Sequence, residues 1–427
     1  AGYEWAEGES EEGVRVVGTT LCRFAQGGHQ REKISTTRAK EYVPGLANWS
    51  PPDRSPEAAR KSFETQAKRR IEGKVPSKEQ QEQVLNRLCL EYPSTPPPKG
   101  LRGGIIDDGV IAQRVLFFIE NDMVLSSKPG IPYSMLGSCN KDILLPHLGF
   151  ITECVQERLH LLASTPHEEL FKLSASQLVQ RGFCDPVRAF VKDEPHSVRK
   201  VAASRWRLIF AVSAVDQIIE RILCSTQNKV EIANWNRIPS APGLGLSDDE
   251  QLSALYERIL TLSGKDGLAE ADVTGWDWSV QEWELLFEAR ARARLCSADD
   301  LITRLLLNRF LCVSRSVYGM PDGSLLVLDR PGVQLSGCYN TSSSNSRLRV
   351  ALAYLVGARW AIAMGDDCTE DPVPDATVKY SVLGHPLKMY ELRSDEFEFC
   401  STLFTPSGAW PVDGTKTLHN LLEQKNI

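Results

Sequence analysis

Four aspartates define the chemistry open to this chain. Asp366 and Asp367 are adjacent in Met364-Gly365-Asp366-Asp367-Cys368, and Asp272 and Asp277 stand upstream with four residues between them. Neighbouring carboxylates repel, so such a pair either points into water or shares a divalent cation. Alone, Gly-Asp-Asp is more often a solvated turn. Residues 359–363 alternate large and small side chains, as a strand with two unlike faces does. Gly365-Asp366 then reads as a hairpin turn and Cys368-Thr369 as the return. Residues 269–274 read as a second strand, with Asp272 at its end. Asp277 falls at the turn into a helix, where Ser279 and Glu282 form a capping box and Trp283, Leu286 and Phe287 an apolar stripe. A carboxylate at a helix start is also favoured by the dipole, which covers Asp277 but not Asp272. Carboxylates delivered by separate strand ends suit phosphoryl transfer with two divalent ions. One ion activates a 3′-hydroxyl, and the other neutralises a triphosphate and its leaving pyrophosphate. Mg²⁺ accepts such oxygen ligands.

A triphosphate needs cations. Lys192, Arg199, Lys200, Arg205 and Arg207 crowd one region, opposed there only by Asp193 and Glu194. Residues 204–210 alternate as a strand would, with Arg205, Arg207 and Ile209 on one face and Trp206, Leu208 and Phe210 on the other. Arginines on an aromatic-anchored strand suit a triphosphate or a nucleic-acid backbone; the plain alternative is a solvated charged strand. Selecting a ribose needs polar groups that recognise its 2′-hydroxyl. Asp277, Thr341 and Asn345 are available. Thr341 and Asn345 are four apart, on one face of a helix that follows Ser336-Gly337-Cys338-Tyr339-Asn340 and buries Leu348, Leu352 and Leu355. Helix capping is the competing use for both. Residues 126–133, including Ser127 and Lys128, form a stiff, turn-rich loop that reads first as a connector.

Composition narrows the class. The 427 residues are 24% charged and 42% hydrophobic, as in an ordinary soluble globular protein, with net charge −6. That argues against a simple nucleic-acid coat and leaves room for a local basic channel. The eleven cysteines are scattered without zinc spacing and read as small buried hydrophobes in a reducing compartment. Gly264-Lys265 fails the P-loop pattern, and there is neither His-Glu-x-x-His nor Gly-x-Ser-x-Gly. The longest apolar run, 350–364, is broken by Arg359, so no membrane span is expected, and no secretory signal opens the chain. Residues 1–56 are polar, interrupted by Gly27-Gly28 and Pro51-Pro52, and are expected to be flexible or draped over another surface. Residues 57–74 read as a basic helix. Ser77 with Gln80 opens another that carries Val84, Leu85 and Leu88, and Pro96-Pro97-Pro98 marks a boundary.

The basic block from Lys192 to Arg207, Asp272-x4-Asp277, Ser336-Gly337-x3-Thr341-x3-Asn345 and Gly365-Asp366-Asp367 follow one another in that order. In this series the chain resembles viral RNA-dependent RNA polymerases of positive-strand RNA viruses. Asp277-Trp278-Ser279-Val280-Gln281 and Pro242-Gly243-Leu244-Gly245-Leu246-Ser247-Asp248 are most similar to the sobemovirus group and its relatives. The resemblance covers residues 126–405. It implies an α+β right-hand fold: an N-terminal extension (1–98, partly irregular), fingers (99–210 and 280–328), a palm of antiparallel sheet backed by helices (211–279 and 329–396), and a short or partial thumb (397–427). It implies Asp272 and Asp366 as principal Mg²⁺ ligands, with Asp367 nearby and Mn²⁺ as a substitute. Asp277 and Asn345 would check the ribose, helped by Thr341 and Ser336; Lys192, Arg205 and Arg207 would hold the nucleotide. Lys388, with Lys379 as competitor, matches the family's proton donor to pyrophosphate. Phe399-Cys400-Ser401 looks like its primer-gripping hairpin, and 127–133 like its template loop. Ser127, Lys128, Arg199, Lys200, Cys400 and Ser401 would contact RNA.

Implied partners are template and nascent RNA, ribonucleoside triphosphates, a genome-linked protein primer and other viral replication proteins. The implied location is the host cytoplasm, at membrane-associated complexes reached through partners. Two features depart from the pattern. Little chain follows Asp367 for a thumb, so it is either very small or incomplete, and acidic Trp5-Ala6-Glu7 looks like a genome-linked protein. Rival readings are a reverse transcriptase, which needs a bulky residue at Asp277, a non-catalytic RNA-binding module, and a palm-fold nucleotide cyclase.

Overall fold

The alternation that runs up to Met364 does produce a strand. In the computed structural model, which describes residues 2–22, 31–412 and 414–424, Ala361–Met364 pairs antiparallel with Asp367–Glu370. Met364 faces Asp367 across a turn of Gly365 and Asp366. Gly365 has φ +61°, the left-handed value that a tight hairpin requires at this point. Asp367–Glu370 pairs with Leu268–Val273, and that strand with Leu387–Arg393, completing a four-stranded antiparallel sheet.

Helix Thr341–Leu355 packs on the hairpin strands of this sheet. The expected buried stripe is Leu348, Leu352 and Leu355. Instead every residue from Ser343 to Tyr354 is buried, while Leu355 is only half-buried. The other faces can be buried because they carry small serines and two paired arginines. Arg349 meets Glu370 at 3.0 Å and the Tyr380 hydroxyl at 2.8 Å. Arg347 pairs with Glu231 and with Glu288, the latter also bound by Arg292. Buried charges need such partners, and removing one member costs about 3–5 kcal/mol.

A second sheet of seven strands runs in the order Tyr3–Trp5, Val14–Thr20, Ser324–Leu328, Tyr318–Gly319, Val187–Val191 and Leu208–Ala211, with Ser10–Glu11 beside Val14–Thr20. The first residues therefore do not lie loose: Val14 and Val17 are core, and the acidic stretch around Trp5 is an edge strand. Gly27-Gly28 lies outside the described residues. Helix Pro56–Lys68 starts at an Ser55 cap and stops short of residue 74. Beyond it Arg70 reaches the carbonyls of Arg330 and Pro331, a docked, extended course that a basic composition does not predict. Helix Lys78–Glu91 opens on the Ser77–Gln80 box as read.

Two local readings are corrected. The strand expected over 204–210 begins only at Leu208, although burial does alternate, with Trp206, Leu208 and Phe210 inside. The box expected at Ser279 and Glu282 is made by Gln281 and Glu284 instead. A separate short helix, Trp276–Ser279, intervenes and shifts the buried stripe of Glu282–Leu295 to Leu285, Phe287 and Glu288.

After Arg393 come three short antiparallel strands, Phe397–Phe399, Thr402–Thr405 and Gly408–Pro411, then helix Thr415–Glu423. That helix packs on Ile34–Tyr42 and the turn Pro44–Asn48. Among the described residues no helix is long and apolar enough to cross a membrane.

Candidate active site

The ladder sets Cys368 opposite Ala271, so Asp367 and Asp272 occupy the next step, with Asp366 at the adjoining turn. Sequence positions far apart thus converge at one sheet end. All three aspartates are half-buried. Burial raises the Asp366 carboxyl above its usual range, and Asp272 adds to this against the partial relief of Arg349 and Arg207. Burial and then Asp366 push Asp367 up to about 6, while the Cys400 amide, donating to Asp367 Oδ2 at 3.0 Å, pulls it back. Asp277 is pushed up to about 7 by burial and by Asp366.

Among the described residues no Lys or Arg forms an ion pair with Asp272, Asp366 or Asp367. Among the described residues no three His, Cys, Asp or Glu side chains converge into a finished metal cage. Two carboxylates with room for water and phosphate oxygens fit a hard divalent ion such as Mg²⁺, which favours such partial sites. The cavity beside them, about 330 Å³, is lined by Asp272, Asp367, Cys400, Ser401, Trp49 and Lys416. Cys400 and Ser401 form the tight turn between Phe397–Phe399 and Thr402–Thr405, both with positive φ.

Opposite lies the basic cluster. Glu194 organises it, meeting Lys192 at 3.2 Å, Lys416 at 3.3 Å and Arg207 at 3.6 Å. Burial alone would raise the Glu194 carboxyl, but Lys416, Lys192 and Arg207 outweigh it and hold it below its usual range. Lys200 sits below the usual lysine range through desolvation and then the charges of Lys388, Arg207, Arg205 and Lys416. His196 fixes the backbone here, its Nε2 accepting the Arg207 N–H at 3.0 Å. Arg199 stands exposed on the short helix Val198–Ala202, in the same loop as Lys200. Lys388 is the extra residue at an irregularity between Leu387, opposite Val273, and Met389, opposite Asp272. Lys379 lies on helix Ala376–Val382, which packs against strand Leu387–Arg393.

Asn345 donates to Asp277 Oδ1 at 3.3 Å. Ser336 and Thr341 are engaged otherwise. Ser336 Oγ accepts the Phe210 N–H at 3.1 Å, and Gly337 comes so close to that strand that a Cβ would lie 2.2 Å from the Phe210 oxygen. Thr341 turns its hydroxyl to the carbonyls of Leu335 and Cys338. The pair thus shapes the loop beside strand Leu208–Ala211, which follows Arg205 and Arg207. Ser127 and Lys128 are exposed, just before Pro129, whose carbonyl accepts the Ala214 N–H; their loop joins no part of the aspartate cavity.

Several site residues escaped sequence reasoning. Lys416 and Trp49 come from the two ends of the chain, and only the fold unites them. Ser346 Oγ accepts the Gly365 N–H at 2.8 Å and so braces the aspartate turn. Its spacing one residue beyond Asn345 was the available signal.

Carboxylates at a sheet end facing a basic rim can hold a hard cation and, opposite it, an anion of several charges. A family model described as viral RNA-directed RNA-polymerase matches residues 53–408. The replicase polyprotein of Southern bean mosaic virus is 38% identical over 99% of this chain and 45% of its own length. That of Southern cowpea mosaic virus is 38% identical over 96% of this chain and 43% of its own. The RNA-directed RNA polymerase of Mushroom bacilliform virus is 41% identical over 71% of this chain and 76% of its own. The chain belongs to the viral RNA-directed RNA polymerase family, and the resemblance read from its motifs holds. It spans less than half the length of the two polyproteins.

Proposed function

We propose that this chain is a right-hand polymerase that extends an RNA 3′ end with ribonucleotides, directed by an RNA template, and releases pyrophosphate. The observation that carries the reading is the meeting of Asp272, Asp366 and Asp367 at one sheet end across from the Glu194-centred cations. On this reading the four-stranded sheet and its helices are the palm (211–279 and 329–396), and the fingers are 99–210 and 280–328. The three-stranded sheet and last helix (397–427) serve as a small thumb. Tyr3–Trp5, Ser10–Glu11 and Val14–Thr20 complete the fingers sheet, and Ile34–Tyr42 with Pro44–Asn48 braces that helix.

Asp272 and Asp366, with Asp367 beside them, would hold Mg²⁺ or Mn²⁺, which when bound supplies charge neutralisation and activates the 3′-hydroxyl. Lys192, Arg205 and Arg207 receive the triphosphate, released in part from Glu194 as it arrives. Asp277 and Asn345 face the ribose, while Ser336 and Thr341 support them through the loop. Lys388, flanking Asp272 in the sheet, is better placed than Lys379 to give a proton to pyrophosphate. The Cys400–Ser401 turn supports the primer end. Ser127, Lys128, Arg199 and Lys200 contact RNA backbone. Template, product, nucleotides, a genome-linked protein and other replication proteins are the partners, met in the host cytoplasm at membranes reached through those proteins.

The test is incorporation of labelled ribonucleotides on an RNA template, with and without primer, in Mg²⁺ or Mn²⁺. Chelation and Asp366→Ala should each abolish it, the variant keeping its circular dichroism spectrum. Wild-type-like synthesis by that variant would sink the assignment, and preference for deoxyribonucleotides would favour a reverse transcriptase.

A further inference from the structure

An amide has two ends of nearly equal shape and opposite polarity. Whichever end of Asn345 faces Asp277 decides whether the two attract or repel. With Nδ2 forward, Asn345 donates to Asp277 at 3.3 Å and keeps its second hydrogen for another acceptor. Reversed, a carbonyl oxygen would meet a carboxylate.

One contact removes the ambiguity. The Trp276 indole N–H donates to Asn345 Oδ1 at 2.9 Å, and an indole offers no acceptor, so only the carbonyl end can face it. Trp276 is itself held on two sides. Its ring stacks on His385 with centroids 5.0 Å apart. Its backbone carbonyl accepts from Ser279 Oγ at 2.7 Å. Ser279 Oγ also meets His385 Nδ1 at 2.8 Å. The other ring nitrogen faces Glu284 at 2.7 Å and 2.9 Å, and Glu284 also receives the Gln281 N–H at 2.7 Å. Trp276, Ser279, Glu284, His385 and Asn345 are all buried, and His385 and Glu284 fully so.

We infer that Trp276 and His385 are positioning residues for sugar selection, locking the Asn345 amide so that Asp277 and Asn345 present a fixed acceptor and donor to a 2′-hydroxyl. The inference rests on the polymerase reading and adds to it a reason for a buried polar chain that touches no substrate. A hydroxyl that both donates to Asp277 and accepts from Asn345 is recognised by a locked pair; a deoxyribose gains nothing from it.

Trp276→Phe keeps an aromatic ring beside His385, deletes the indole N–H and leaves the space of the second ring unfilled. The readout is the ratio of kcat/KM for a ribonucleotide to that for its deoxy counterpart, with melting temperature measured alongside. The expected result is a fall of about tenfold in that ratio, the worth of one buried orienting hydrogen bond, arising mainly from a higher ribonucleotide KM. Ser279→Ala, a smaller change, should move the ratio the same way by less, and decides the matter if Trp276→Phe does not fold. An unchanged ratio in a folded variant, or equal losses for both sugars, overturns the inference and leaves the polymerase reading intact. A wild-type chain that incorporates neither nucleotide overturns both.

Discussion

His196 ties acid stability to the basic rim. Its ring is buried, edge-on to Trp206, and its Nε2 must stay unprotonated to accept the Arg207 N–H. Burial lowers its pKa from 6.5 to about 4; Glu194 opposes that shift, and Lys416 and Lys200 reinforce it. The folded value lies below the unfolded one, so between them the unfolded chain binds more protons. The stabilisation is therefore complete above the unfolded pKa and is lost as pH falls through the window toward the folded one. From pH 7 to pH 5 the two titration curves differ by up to about 2 kcal/mol, with solvent screening at the rim reducing this. The perturbation is His196→Gln, which keeps an acceptor within reach of Arg207 and cannot titrate. Urea unfolding of both chains at the two pH values gives the comparison. Asp277 and Asp367 titrate in the same range with the opposite sign, but they do so in both chains and cancel in the difference. The wild type should lose about 1–2 kcal/mol more than His196→Gln on acidification. Equal losses would refute the reasoning.

Other expectations follow from single contacts. Ser346→Ala strips the acceptor from the Gly365 N–H and should lower kcat about fivefold to tenfold with nucleotide KM unchanged, measured in steady-state extension assays. Glu370→Gln leaves Arg349 charged and unpaired in the interior, and urea unfolding should show a loss of about 3–5 kcal/mol. Lys416→Ala removes one cation from the rim, so nucleotide KM should rise about fivefold and depend less steeply on salt. An unchanged KM and salt slope there would mean that Lys416 serves only to dock its helix.

Local pattern carried the site further than it carried the fold. Alternation and turn chemistry located the 361–370 hairpin because both causes lie within those residues. The Thr341–Leu355 helix was placed correctly at its start, yet its burial was misjudged. Arg347 and Arg349 look like solvent-facing residues until Glu231, Glu288 and Glu370 arrive from other elements. The capping box at Ser279 failed for a similar reason: His385, a hundred residues on, competes for that hydroxyl. Pairing of Tyr3–Trp5 and Val14–Thr20 with Ser324–Leu328 was out of reach, since neither partner shows strong periodicity alone. Lys416 joined the site for no local cause at all.

The bond from the Cys400 amide to Asp367 ties the 400–401 turn to the end of the four-stranded sheet. Lengthening it withdraws a donor that holds down the proton affinity of that carboxylate. A strand terminus resting on the 400–401 turn would thus be sensed electrically at the sheet end, coupling mechanical seating to proton affinity through a single peptide group.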